Sequence, residues 1–407
     1  MRKQNDKQTS RRSFLKLASA AGAGALGTVF APAIFGRRRI DQKMKEFLVY
    51  IGTYTSGKTP SEGIYVYRFD AAAGKLSPHR TIAGVVEPSF LAIDHERRRL
   101  FAVNETVDYE GRQSGAVSAF AIDAKTGDLR FLNRRPSLGG APCHLSVTGD
   151  GRFVLVANYV GGNVAVLPVE TDGRLGASID LEQHAGTGPN RERQEAAHAH
   201  SVMLDRRGRF AFVNDLGVDK IMIYRFDDRT GKLELNPAQN FYSTKAGAGP
   251  RHFRFHPNGK LAFVINELDQ TISSLAYDER QGTLREIQTV ATVPADFSGA
   301  NTCADLHLSP DGKFVYGSNR GHDSIVGYRV DQKSGRLELV GHTATGGKKP
   351  RNFALSPDGR FLLAANQDSD SIVVFGRDER SGKLAATGHA ATVPVPVCLL
   401  FAPYAGA

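Results

Sequence analysis

A three-residue signature, Gly, a polar residue and then Leu, returns seven times along the chain. It stands at Gly74-Lys75-Leu76, Gly127-Asp128-Leu129, Gly173-Arg174-Leu175, Gly231-Lys232-Leu233, Gly282-Thr283-Leu284, Gly335-Arg336-Leu337 and Gly382-Lys383-Leu384, at spacings of 46 to 58 residues. A strand-like apolar run precedes each copy, such as IYVYRF at 64–69 or IVVF at 372–375. Further upstream lies a hairpin pattern, clearest in GPRHFRFHPNGKLAFVINELDQT at 249–271. There Phe253 and Phe255 alternate with polar residues, and Leu261 opens a more continuous apolar run. Asn258-Gly259 between them predicts a two-residue turn with both residues at positive φ. The second strand of this hairpin ends at Asn104, Asn158, Asn214, Asn266, Asn319 and Asn366 in successive units.

Each unit therefore reads as four antiparallel strands without a convincing helix. Units of this kind at periods near fifty predict an all-β, seven-bladed β-propeller. The first unit opens at 47–52 with what is elsewhere the second strand, and the missing first strand is found at 396–401. A blade shared between both ends of the chain closes the ring and removes two open sheet edges. Residues 45–404 then form one domain. The repeat is interrupted by inserts at 108–114 and 181–197.

The first residues read differently. Arg11-Arg12 in a basic stretch, an Ala/Gly-rich apolar run to Phe35 and the small residues Ala31-Pro32-Ala33 describe a twin-arginine-type export signal at 1–33, with a short linker at 34–44. The expected partner is the export machinery, the expected location is periplasmic or secreted, and no stable membrane span is expected after processing. The formal charge of +10 is half explained by that segment: residues 1–33 hold six Lys/Arg and one Asp, leaving 46 Lys/Arg against 41 Asp/Glu in the rest. No basic helical face with interleaved aromatics is present, so nucleic acid is not an expected partner. Cys143, Cys303 and Cys398 are odd in number and lack metal-type spacing, and are read as buried apolar residues.

Residues common to every unit are explained by the fold, so chemistry is sought where equivalent positions differ. One such column opens the first strand: Ser89, Cys143, His200, Arg251, Ala304, Arg351 and Val397. A second follows the repeated Asn: Glu105, Tyr159, Asp215, Glu267, Arg320 and Gln367. Both belong to one rim, and neighbouring units supply His200, Asp215, Arg251, Glu267 and Arg320 to one side of it. Arginines hold carboxylate or phosphate bidentately, and His or Glu handles a proton. This suits an anionic ligand with an ester-like centre. The alternative is that Arg251–Glu267 and Arg320–Asp305 are structural ion pairs and His200 a hydrogen-bonded rim histidine. His198 and His200 form a His-x-His without a third ligand at useful spacing, so neither a metal nor another cofactor is expected. His144, Asp215 and Arg351 are expected to contribute to substrate binding.

The units at 249–271, LHLSPDGKFVYGSNRGHDSI at 306–325 and KPRNFALSPDGRFLLAANQDSDSIVVF at 349–375 resemble the lactonase family of seven-bladed propellers. That family includes bacterial 6-phosphogluconolactonases and a fungal carboxymuconate-lactonising enzyme. In the cycloisomerase branch the site is a His, an Arg, a Glu sixteen residues later and a further Arg. The matching positions are His200, Arg251, Glu267 and Arg320. The resemblance implies a lactonase acting on a sugar lactone or related acidic lactone, with His200 as general base (Glu267 the alternative) and Arg251 and Arg320 on the oxyanion. The other functions left open are a lactonising cycloisomerase and a non-catalytic exported propeller that binds small acids, sugars or a protein partner.

Overall fold

The computed structural model describes residues 45–57 and 59–404, so the expected export signal and linker lie outside the described residues. Seven antiparallel sheets follow one another around a ring. Blades 2 to 7 each take their first four strands consecutively from the chain. Blade 1 is assembled from both ends: strand Pro396–Pro403 pairs with Glu46–Thr53, followed by Gly63–Asp70 and Lys75–Ala83. Blade 4 carries a short extra strand, Phe241–Ser243. Among the described residues the helical content is two 3₁₀ turns, Leu216–Val218 and Gln367–Ser369, and no helix is long and apolar enough to cross a membrane.

The hydrophobic core is divided into seven clusters, one between each pair of neighbouring blades. Phe212, Phe253 and Val264 join blades 4 and 5, for example, and Phe314, Tyr316 and Phe353 join blades 6 and 7. The cluster of Phe47, Phe69, Leu363 and Phe401 joins blade 7 back to blade 1, which closes the ring through packing as well as through the shared sheet. Burial of such side chains contributes roughly 1.5–3 kcal/mol each.

The repeated glycine has two reasons to be glycine. Gly282 sits in a left-handed conformation, φ 69°, and a β-carbon there would meet the Phe210 ring of the preceding blade. Gly382 repeats the arrangement against Phe314, at φ 76°. The signature thus marks the point where each outer hairpin tucks under its neighbour.

One local expectation is corrected. Strand Pro250–Phe255 joins Leu261–Asn266 through a five-residue connection closed by His256 N–H donating to Leu261 O (2.9 Å) and Gly259 N–H donating to His256 O (3.0 Å). Only Gly259 has positive φ there, at 69°. Asn258 instead accepts from Lys260 N through its side chain at 2.9 Å, which stabilises the longer turn without a left-handed asparagine.

Candidate active site

The inner hairpins carry the same irregularity in blade after blade. In blade 5, Pro250 pairs with Asn266 and His252 with Ile265, so Arg251 is an extra residue with no partner in the ladder. His200 occupies this position between Ala199 and Ser201, Cys143 between Pro142 and His144, and Arg351 between Pro350 and Asn352. A bulge bends its strand and re-aims the side chain of the extra residue. The first sequence column is therefore a ring of bulged residues, free to differ because the sheet register does not depend on them.

The second column is fixed by the repeated Asn, whose amide bonds the preceding loop. Asn158 donates to Ser137 O at 2.9 Å, Asn319 to Thr292 O at 2.7 Å and Asn366 to Thr345 O at 3.2 Å. Thr53 pairs with Pro396 just as Asn266 pairs with Pro250. Tyr54, one residue on, is thus the blade 1 member of this column.

Glu267 is the hub of the rim. Its Oε2 lies 2.9 Å from both Arg251 Nε and Arg320 Nη2, and its Oε1 accepts a 2.6 Å hydrogen bond from Arg193 Nη2. Burial raises its pKa, but Arg320, Arg251 and Arg193 outweigh that and hold it down at about 2. The carboxylate is ionised at any physiological pH. Arg251 also donates to Ala304 O at 2.6 Å and Arg320 to Cys303 O at 2.8 Å, and the Nε–H of Arg320 is buried with no hydrogen-bonded acceptor. Arg320 does not pair with Asp305, the alternative raised by sequence. Asp305 instead binds His252 Nδ1 (2.7 Å), His307 Nε2 (2.9 Å) and Asn352 Nδ2 (2.5 Å). His252 Nε2 in turn lies 3.1 Å from Arg251 Nη1, so the Asp305–His252 pair orients the guanidinium.

His200 stands beside this cluster, with Nε2 3.9 Å from Glu267 Oε2 and Nδ1 3.7 Å from Cys143 Sγ. Its ring meets the edges of Tyr159 and His252. Burial, then Arg251, His252 and Arg351, holds its pKa well below 6.5. The imidazole is neutral at pH 7. Burial pushes the Cys143 thiol up, so it is neither a thiolate nucleophile nor a charged partner.

Around the ring, Arg351 donates to Tyr54 Oη at 2.8 Å and lies over the Tyr54 ring. Tyr54 donates to Glu105 Oε2 at 2.9 Å, and Ser89 Oγ donates to the same oxygen.

The expected site residues thus separate. His200, Arg251, Glu267 and Arg320 come together, and Arg351 shares their rim. Asp215 does not: His184 Nδ1 (2.6 Å), His198 N (2.7 Å) and Gly217 N (3.0 Å) occupy both of its oxygens, which anchor the blade 4 loop. His144 is 1% exposed, its ring tilted 30° against that of Phe90 with centroids 4.2 Å apart. His198 has both nitrogens engaged, with Tyr159 O at 3.0 Å and Glu195 Oε1 at 3.1 Å. Among the described residues no group of three or more His, Cys, Asp or Glu is placed to hold a metal ion.

Arg193, Tyr54 and Glu105 were not among the expected site residues. Arg193 lies in the insert outside the repeat, where column comparison is blind. Its loop is fixed by buried Gln194, which donates to Leu216 O and Asp219 Oδ1, both at 2.8 Å. Carrying the column through the closing blade would have reached Tyr54.

Fold and rim together define a propeller built around an arginine–carboxylate mouth with a neutral imidazole. The chain matches the model of the family "Lactonase, 7-bladed beta-propeller" over residues 48–401, and it belongs to that family. It is 38% identical over 310 residues to the 6-phosphogluconolactonase of Bacillus subtilis, covering 76% of this chain and 85% of that one. A 6-phosphogluconolactonase of Formosa agariphila is 35% identical over 315 residues, covering 75% of this chain and 85% of its own. Among solved structures, the periplasmic gluconolactonase PpgL of Pseudomonas aeruginosa superposes with a TM-score of 0.82 at 38% identity, covering 88% of this chain and 99% of that one.

Proposed function

We propose that the chain is a hydrolase of a sugar-acid lactone, of the 6-phosphogluconolactone or gluconolactone type, with His200 as general base and Arg251 and Arg320 as the oxyanion site. The observation that carries this reading is the meeting of Arg251 and Arg320 on Glu267 Oε2, each 2.9 Å from it, with the buried Nε–H of Arg320 left without a hydrogen-bonded acceptor. A neutral imidazole stands beside them. The names borne by the relatives support the substrate class.

Opening a lactone requires a water made nucleophilic, donors for the negative carbonyl oxygen and a proton for the departing ring oxygen. His200 takes the proton from water as its oxygen attacks the carbonyl carbon. The guanidiniums meet the charge that develops on the carbonyl oxygen. A donor of this kind contributes about 2.7–4 kcal/mol, or about 10²–10³ in rate. Glu267, held at about 2, is too weak a base for this work. Its task is to hold three guanidiniums in place. Arg351, hydrogen-bonded to a phenol and forming no ion pair with a carboxylate among the described residues, receives the acid group of the substrate. An anion bound there offsets part of the cationic field that, after burial, depresses His200. Substrate binding thereby strengthens the base.

In this reading charge stabilisation belongs to the arginines and no metal takes part. The test is a pH-stat panel of 6-phosphogluconolactone, gluconolactone and neutral aliphatic lactones, with spontaneous hydrolysis subtracted and EDTA added in a parallel series. Saturable hydrolysis of the sugar lactones, unchanged by EDTA, is expected. Rates no higher than spontaneous would leave a binding propeller, and loss with EDTA that a divalent ion restores would make it a metalloenzyme. The reading includes export through Arg11-Arg12. Changing both to lysine is expected to hold folded protein in the cytoplasm, and unchanged export would remove that element.

A further inference from the structure

Glu105 and Glu267 occupy the same position in two blades, one residue after the repeated Asn, with their backbone N–H groups bonded to Glu87 O (3.0 Å) and Gly249 O (2.7 Å). They stand three blade positions apart around the ring, in blades 2 and 5. Their surroundings are opposite. Glu267 has three guanidinium nitrogens within 2.9 Å. Glu105 forms no ion pair among the described residues and has two hydroxyl groups instead, from Tyr54 and Ser89, both on Oε2. Glu267 is buried, whereas Glu105 is only half-buried. No hydrogen bond to Glu105 Oε1 is present among the described residues, and Oε1 is not one of the buried atoms left without a partner.

We propose that Glu105 is a catalytic residue, the acid whose Oε1–H protonates the ring oxygen as the lactone opens. This rests on the lactonase reading above. With Oε2 accepting from Tyr54 and Ser89, that oxygen serves as the carbonyl end and the proton belongs on Oε1. The donor chain is consistent from the outside inward: Arg351 Nη2–H to Tyr54 Oη, then Tyr54 O–H to Glu105 Oε2. Tyr54 has no proton left to give, since its own is committed to Glu105. Burial raises the pKa of Glu105 against the opposing pull of Arg351, Ser89 and Tyr54, while the equivalent Glu267 is lowered. Two carboxyl groups driven apart in this way divide into an acid and a permanent anion.

The step balances. The water oxygen bonds to the carbonyl carbon and His200 holds the water proton. The bond from carbonyl carbon to ring oxygen then breaks, and its electron pair takes the proton from Glu105 Oε1. The products are a hydroxy acid, the Glu105 carboxylate and protonated His200. The His200 proton leaves to solvent and Glu105 regains one from it.

Glu105→Gln keeps the shape and removes the transferable proton. On a sugar lactone, whose leaving group is an alkoxide, kcat is expected to fall by about 10²–10⁴, the usual range for general acid–base catalysis, with KM nearly unchanged. An aryl lactone such as dihydrocoumarin leaves as a phenolate, a much weaker base, and its kcat is expected to fall less than about tenfold. Infrared difference spectra of wild type against Glu105→Gln at neutral pH should show a protonated carboxyl band present only in wild type. Retained kcat on the sugar lactone, equal loss on both lactones, or absence of that band overturns the assignment. A wild type inactive on every lactone would instead remove the lactonase reading itself.

Discussion

Arg193 Nη2 donates to Glu267 Oε1 at 2.6 Å, tying the insert before blade 4 to the inner hairpin of blade 5. The bond spans 74 residues of sequence. Arg193 is also the most exposed of the three arginines on this carboxylate, its side chain 38% accessible. Of the three guanidiniums it is the one most open to an anion from solution. Arg193→Ala is expected to raise KM for acidic lactones about tenfold, the size of a partly screened charge-assisted hydrogen bond. The effect should shrink as salt is raised. Equal KM values for mutant and wild type at low salt would show that the insert does not serve binding.

Glu267 links the site to stability in acid. Its pKa falls from 4.5 to about 2 on folding, so the native state favours the ionised form. The stabilisation, roughly 3 kcal/mol, is fully present above the unfolded value and is lost as pH falls through the folded one. Glu267→Gln should therefore be less stable than wild type at pH 7 by about 3–5 kcal/mol, because Arg251 and Arg320 remain buried without a counter-charge. The difference should narrow between pH 5 and pH 2. Denaturant midpoints measured across that range check it, and a gap that stays constant with pH would contradict the ion-pair hub.

The depressed pKa of His200 sets the acid limb of activity. Its base form persists below 6.5, so kcat/KM should stay level from neutral pH through 6.5 and decline only at lower pH. The limb for kcat should lie higher than that for kcat/KM, because bound substrate offsets the field of Arg251 and Arg351. Arg351→Ala should raise KM for acidic lactones, leave neutral ones little affected, and move the kcat/KM limb upward. A wild-type limb at or above 6.5 would contradict a buried neutral imidazole.

The ring was legible because its repeat has a steric cause: Gly282 and Gly382 must be left-handed and must pass beneath a neighbouring aromatic. The ion-paired part of the rim was legible for a related reason. Arg251, Glu267 and Arg320 stand in columns whose residues vary from blade to blade, and no fold requirement explains them. Periodicity alone could not reveal the bulges that aim His200 and Arg251, since a bulge changes pairing without changing composition. Asp215 is tied up by His184, from the insert, and Gly217, from the following loop, partners that column comparison does not see. Arg193 lies outside the repeat altogether. Glu105 was visible in its column, but its distinction is what surrounds it, two hydroxyl groups in place of three guanidiniums.

The most direct test is the steady-state kinetics of His200→Ala on whichever sugar lactone the wild type hydrolyses, in protein shown to be folded by an unchanged circular dichroism spectrum. A general base acts in the transition state, so kcat should fall by about 10²–10⁴ while KM changes little. A kcat close to that of wild type would contradict the assignment of His200 and leave the arginine–carboxylate mouth as a binding surface alone.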